Sequence, residues 1–253
     1  MGRAPLPHDA GRLAARVDAM MLRPFFSFYG GKWRVTPKHY PPPEHDTIVE
    51  PFAGGAGFSL RYSDRRVVLC DLDPVIAGVW RYLVSVSPGE IRAIPDMPLD
   101  GSVDDLPIPQ EARWLVGFWL NRGGSRPKKR PSAWMRNGIR PGSFWGERCR
   151  EVIASQVESI RHWEVLECDY RDCPVSGAAT WFIDPPYENA GKHYRLGSSG
   201  IDYKNLGEWC LSRQGQVIVC ESDGAQWLPF EPLAHIKTTR RNRPSKEAIW
   251  LKN

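Results

Sequence analysis

The stretch "WFIDPPY", residues 181–187, sets an apolar run against an aspartate, two prolines and a tyrosine. A strand that ends in Asp184-Pro185-Pro186 gives up two backbone donors where a sheet would use them. What remains is one carboxylate, carbonyls whose direction the proline rings fix, and the ring of Tyr187. That set suits an exocyclic amino group on a nucleobase. Such a nitrogen is a poor nucleophile because its lone pair is delocalised into the ring. A carboxylate accepting one N–H and a rigid carbonyl accepting the other draw the nitrogen toward tetrahedral geometry and aim its lone pair at an electrophile. Tyr187 can stack on the base at roughly 1–3 kcal/mol, which offsets part of the few kcal/mol needed to extrude that base from a duplex.

A second group lies upstream. "IVEPFAGGAGFSL", residues 48–60, reads as a strand, a glycine turn and a helix start. Glycines there either let backbone approach a ligand or pack strand on helix. The turn is not a phosphate-binding loop, and the Gly31-Lys32 step continues with Trp33 rather than Ser or Thr. The next strand ends in "LCDLD", placing Asp71 about twenty residues beyond Glu50. An acid at that place accepts hydrogen bonds from ribose hydroxyls, so the two features together suit an adenosine-containing ligand. Asp71 could instead cap a helix starting at Pro74, although Asp73 sits nearer that position.

The elements that must position these residues are legible as apolar, β-branched runs bounded by turn residues. Strands are predicted at 47–52, 66–71, 162–168, 179–184, 216–222, 234–239 and 247–252. The first five are spaced for helical crossovers and several are apolar on both faces, which predicts a mostly parallel buried sheet with helices on each side. The last two are joined by "RRNRPSK" and predict an antiparallel hairpin at the edge. Between Asp71 and residue 162 lies too much chain for one crossover. It holds predicted helices at 74–87, 110–122 and 146–163, a Pro/Asp-rich linker, and the Gly/Pro/Arg/Trp-rich run "GGSRPKKRPSAWMRNGIRPGSFW". The expected organisation is an N-terminal extension (1–22), a catalytic domain (23–89 and 162–253) and an inserted subdomain (90–161).

At 253 residues the chain can hold one well-buried core plus an insertion. No apolar stretch approaches the roughly 20 residues that span a bilayer, and the N-terminal segment has no apolar run of signal-peptide type. Six cysteines show no CxxC pair and no zinc-like spacing. They are expected as reduced thiols in a cytoplasmic protein. Charge is unevenly placed. Residues 121–150 carry nine basic side chains against one acid, so this segment at +8 exceeds the whole chain at +5 and leaves the remainder at −3. A concentrated basic patch is the footprint of a polyanion site.

Five blocks in order, "FSFYGGK", "VEPFAGGAGFSL", "LCDLD", "LECDY" and "IDPPY", resemble the Dam-type DNA adenine N6-methyltransferases, which use S-adenosylmethionine. "TTRRNRPSKEAIWL", with Glu247 in the acidic place, is similar to that family's closing segment, and "FWLNR" to the lead-in of its target-recognition insertion. The resemblance spans roughly residues 25 to 252. It implies a Rossmann-like class I methyltransferase fold of α/β type: a seven-stranded mostly parallel sheet, a C-terminal antiparallel hairpin and an inserted DNA-recognition subdomain. It implies a monomer acting on double-stranded DNA with base flipping. The implied catalytic residues are Asp184, Pro185, Pro186 and Tyr187. Phe28, Lys32, Pro51, Phe52, Gly54, Gly55, Asp71, Asp169, Tyr170 and Asp184 would meet the cofactor, although Asp169 also fits a plain turn.

In the insertion, Arg122, Arg126, Lys128, Lys129 and Arg130 are expected at phosphates, which give affinity without sequence information. Trp134, Arg136, Asn137 and Arg140 fall at an expected hairpin tip with an Asn137-Gly138 turn. Arg and Asn there are base-reading types, whereas packing suits Trp134 better than intercalation. The sequence departs from the family's pattern at Ala56, where many relatives carry a third glycine, and in its short insertion and short segment after "DPPY". Cytosine-N4 methylation and a catalytically silent DNA-binding relative are the alternatives; the first block and the insertion disfavour the former, and intact Lys32, Asp71 and "DPPY" the latter.

Overall fold

The computed structural model describes residues 21–121, 123–139, 142–189, 191, 194–237 and 244–253. Among these, seven strands make one sheet: β1 (Thr47–Glu50), β2 (Arg66–Asp71), β3 (Glu164–Glu167), β4 (Thr180–Ile183), β5 (Val217–Ser222), β6 (Glu231–Lys237) and β7 (Pro244–Lys252). Their order is β3-β2-β1-β4-β5-β7-β6. The first five run parallel, while β7 inserts antiparallel between β5 and β6. All seven expected strands are present, with ends shifted by a few residues. The expected N-terminal extension lies almost wholly outside the described residues.

Successive side chains of these strands enter opposite faces, as the pleat requires. Ile48, Val67, Leu69, Phe182 and Ile218 join the larger core with Phe25, Phe26, Phe58 and Trp80. Val49, Val68, Cys70, Trp181 and Val219 join a smaller core on the other face. The helices are α1 (Thr36–His39), α2 (Pro74–Ser85), α3 (Pro88–Ala93), α4 (Gln110–Trp119), α5 (Ala133–Arg136), α6 (Glu147–Ala154) and α7 (Tyr203–Ser212). Ile76, Val79, Trp80 and Leu83 of α2 and the buried side chains of α3, α4 and α6 belong to the larger core, so the 90–161 segment is packed continuously with the sheet. Leu206 and Cys210 of α7 cover the other face.

Local chemistry starts these helices where the sequence suggests. Asp73 accepts from the Val75 N–H and Pro74 occupies the first turn of α2, so the cap is Asp73 rather than Asp71. Ser87 and Glu90 form a reciprocal capping box on α3. Two expectations need correction. The helix expected over 146–163 stops at Ala154 and resumes as a 3-10 turn at Val157–Ile160. At the break, Gln156 exchanges hydrogen bonds of 3.0 and 2.9 Å with the Arg23 backbone, a tertiary tie that local periodicity does not reveal. The expected hairpin tip "WMRNGIRPG" begins instead in the short helix α5, capped by Ser132, and its Arg140 and Pro141 lie outside the described residues. Asn137-Gly138 ends the helix, with Gly138 at φ +64°; an Asn-Gly step serves a helix C-terminus as well as a hairpin. No helix among the described residues is long and apolar enough to cross a membrane.

Candidate active site

The strand order reverses between β1 and β4, and a crevice opens beyond the carboxyl ends of the strands at such a point. A cleft of about 190 Å3 lies there, lined among others by Phe28, Lys32, Pro51, Phe52, Gly54, Gly55, Asp71, Asp169, Tyr170, Asp184 and Pro186. Residues spread over the chain from Phe28 to Pro186 therefore share one site.

After β1 the chain turns sharply, with Gly54 at φ +45° and Ala56 at φ +46°. A methyl group at Gly54 would lie 2.9 Å from the Phe28 ring, so glycine is what lets that ring rest on the turn. Ala56 adopts a conformation that non-glycine residues rarely take, a local strain next to the cleft. The turn is tied down from β2: the Ala53 N–H donates to the Cys70 carbonyl at 3.0 Å and the Gly54 N–H to Asp71 Oδ2 at 3.0 Å. The Asp73 N–H takes Asp71 Oδ1 at 2.9 Å. Burial pushes the Asp71 carboxyl up to about 6, against the pull of those two amides.

Beyond β3, Asp169 accepts from the Arg171 N–H and chelates its guanidinium at 2.7 and 3.1 Å. Burial opposes the Asp169 charge, but the Arg171 bonds hold its carboxyl below the usual range. It is thus a turn cap and a wall of the cleft at once. Tyr170 stacks on Phe52, ring centroids 5.5 Å apart and 30° from parallel.

At the end of β4, Asp184 receives Lys32 Nζ on both oxygens, at 2.7 and 2.9 Å. Lys32 also donates to the Gly30 carbonyl at 3.1 Å. Burial works against the Lys32 charge, yet Asp184 and Glu247 keep the ammonium above its ordinary value. Burial raises the Asp184 carboxyl; Lys32 opposes this, while Glu247 and Glu221 add to it. Tyr187 donates its hydroxyl to Glu247 of β7, and its ring lies 5.0 Å from Lys32 Nζ. The Pro186 carbonyl accepts from the Tyr203 hydroxyl of α7. Among the described residues the Pro185 carbonyl accepts no hydrogen bond.

Several residues escaped the sequence reading. Glu50 is 2% exposed, lines the cleft and accepts the Ser59 N–H at 2.7 Å; burial pushes its carboxyl up to about 8. Glu221 is fully buried at the end of β5 and accepts from the Glu188 N–H and Trp227 Nε1, both at 3.1 Å, bracing the chain just after Tyr187. An acid closing an apolar run is the signal that marks both, since a carboxylate enters a core only with partners. Tyr194 and Arg195 roof the cleft. Tyr194 packs on Phe28 at 6.0 Å, and Arg195 pairs with Asp73 at 2.9 Å.

In the insertion, Arg122 and Arg140 lie outside the described residues. Arg126, Lys128, Lys129, Arg130, Trp134, Arg136 and Asn137 are all exposed. Lys129 pairs with Asp104 at 2.7 Å, Arg130 donates to the Asp100 carbonyl at 3.1 Å, and Arg136 to the Pro131 carbonyl at 2.6 Å. Trp134 is 56% exposed, so the packing role expected for it covers less than half of its surface. Comparison with protein-family models and with curated proteins finds no match to this chain.

Proposed function

We propose that this chain transfers a methyl group from S-adenosylmethionine to the N6 amino group of adenine in double-stranded DNA, on a methyltransferase-type sheet with its recognition subdomain inserted before β3. S-adenosylmethionine would supply an electrophilic methyl group on its sulfonium. The residues present fit that ligand. Asp71 spends two of about four acceptor sites on amides, which leaves acceptors for a ribose diol. Phe52 and Tyr170 offer flat apolar walls for a purine, and Phe28 seats against the glycine turn.

The chain's own part is to hold the acceptor nitrogen. Asp184 accepts one amino N–H and the Pro185 carbonyl the other. Lys32 keeps the carboxylate fixed, and Tyr187, anchored through Glu247, presents its ring to the base. The basic face of the insertion supplies phosphate contacts that bring the duplex to the cleft. The observation that carries the reading is the Lys32–Asp184 pair, in sequence beside an uncommitted Pro185 carbonyl, on the wall of the same cleft that Asp71 and the glycine turn line.

The test is incubation with isotopically labelled S-adenosylmethionine and unmethylated genomic DNA, followed by nucleoside mass spectrometry. Label in N6-methyladenine is expected. Label in N4-methylcytosine would keep the chemistry and change the base, and no label with DNA still bound would leave a binding module.

A further inference from the structure

Three cysteines bracket the residues that wall one end of the cleft. Cys70 precedes Asp71, Cys168 precedes Asp169, and Cys173 closes the 3-10 turn Tyr170–Asp172. The Sγ atoms of Cys70 and Cys173 are 3.3 Å apart in the smaller core. A disulfide needs about 2.05 Å, so the bond asks for a little over 1 Å of approach. Cys70 is fully buried, Cys173 is 8% exposed and Cys168 is half-buried. The Cys70 hydrogen bond lowers the Cys173 thiol and so favours its thiolate.

We propose that Cys70 and Cys173 are an oxidation site, at which hydrogen peroxide forms a disulfide that deforms the Phe52–Tyr170 wall of the cleft. The Cys173 thiolate attacks one peroxide oxygen. The O–O bond breaks, hydroxide leaves and takes up a proton, and a sulfenic acid remains. Cys70, losing its proton, attacks that sulfur and water leaves. Two thiols and one peroxide thus give one disulfide and two waters.

The bond has a path to the cleft at both ends. The Cys173 N–H donates to the carbonyl of Tyr170 at 3.4 Å, and the Tyr170 ring lies on Phe52. The Cys70 carbonyl holds the Ala53 amide, and Asp71 holds that of Gly54. Drawing the two sulfurs together shifts the turn against the strand and strains both grips.

The consequence for ligand binding rests on the cofactor reading above; the oxidation itself does not. The full chain is treated with peroxide, remaining thiols are blocked with N-ethylmaleimide, and digested peptides are read by mass spectrometry. A Cys70–Cys173 cross-link is expected, reversed by dithiothreitol, absent in Cys173→Ala and retained in Cys168→Ala. The cross-linked chain should bind S-adenosylmethionine several-fold more weakly by calorimetry, and amide exchange should change at residues 51–55 and 169–173. A missing cross-link, one joining Cys168 instead, or a link that alters neither affinity nor exchange overturns the proposal. If the reduced chain itself fails to bind S-adenosylmethionine, the cofactor reading falls, and cross-link and exchange alone decide this one.

Discussion

At the scale of single residues, the site is a crowd of carboxylates around one ammonium. Asp184 and Glu247 favour the Lys32 charge, while Glu247 and Glu221 raise the Asp184 carboxyl against the pull of Lys32. On the proposed mechanism the Asp184 carboxylate orients the acceptor nitrogen, and its removal leaves the basic face untouched. Asp184→Ala should therefore lower methyl transfer by roughly 100- to 1,000-fold, the scale of losing one preorganised polar partner, while DNA affinity in a gel-shift titration stays unchanged. Retained activity would remove Asp184 from the mechanism. Glu50 makes a separate test of burial. Its carboxyl is raised from 4.5 to about 8 in the folded chain, so the native state binds the proton more tightly than the unfolded one. Its contribution is then fully present below about pH 4.5 and lost as pH rises through about 8. Glu50→Gln keeps an acceptor for the Ser59 amide and cannot ionise. Thermal melts from about pH 5 to about pH 8 should show the variant gaining several degrees on the wild type as pH rises; parallel curves would contradict the shift.

At the scale of elements, the turn after β1 and the loop that carries Lys32 are fitted through Gly57. A methyl group there would lie 2.6 Å from the Trp33 nitrogen and 2.8 Å from that of Lys32, both backbone atoms that cannot swing aside. Gly57→Ala should cost about 1–3 kcal/mol or more and cut activity by displacing Lys32 from Asp184. Gly146→Ala, with open space around it and an extended backbone, should change the melting temperature little; equal behaviour of the two variants would break the argument. These elements show what could be read in advance. β-branched runs bounded by turns gave every strand to within a few residues, and the Asp73-Pro74 cap marked the start of α2. The breaks were not legible. The stop after Ala154 depends on Gln156 meeting Arg23, and Asn137-Gly138 suits two kinds of turn until its neighbours choose between them. At the site, Asp71, Asp184 and the glycines stood out because their local patterns are rare. Tyr203 and Arg195 did not, since each matters only through a partner placed by folding, the Pro186 carbonyl and Asp73.

At the scale of the whole molecule, charge and packing divide the chain differently. The 90–161 segment shares the larger core with the sheet, yet it holds the whole basic stretch 121–150 at +8, while everything outside that stretch sums to −3. The sequence shows that asymmetry but not which cations are already engaged. Among the described residues, Arg126 and Lys128 are exposed with no hydrogen bond or ion pair from their side chains, whereas Lys129 is paired with Asp104 and Arg130 holds the Asp100 carbonyl. Exposed pairs are worth about 0–1 kcal/mol, so Lys129 can exchange Asp104 for a phosphate at small cost, while Arg126 and Lys128 have nothing to give up. Each phosphate contact contributes about 0.9 to the slope of log affinity against log salt. The double variant Arg126→Ala, Lys128→Ala should therefore flatten that slope by roughly 1.8 and weaken binding alike on every duplex sequence. Lys129→Ala alone should flatten it by no more than about 0.9. Salt titrations of DNA binding by fluorescence anisotropy measure both. A slope unchanged in the double variant would mean that the basic face does not carry the phosphates, and the duplex would have to reach the cleft by another side of the molecule.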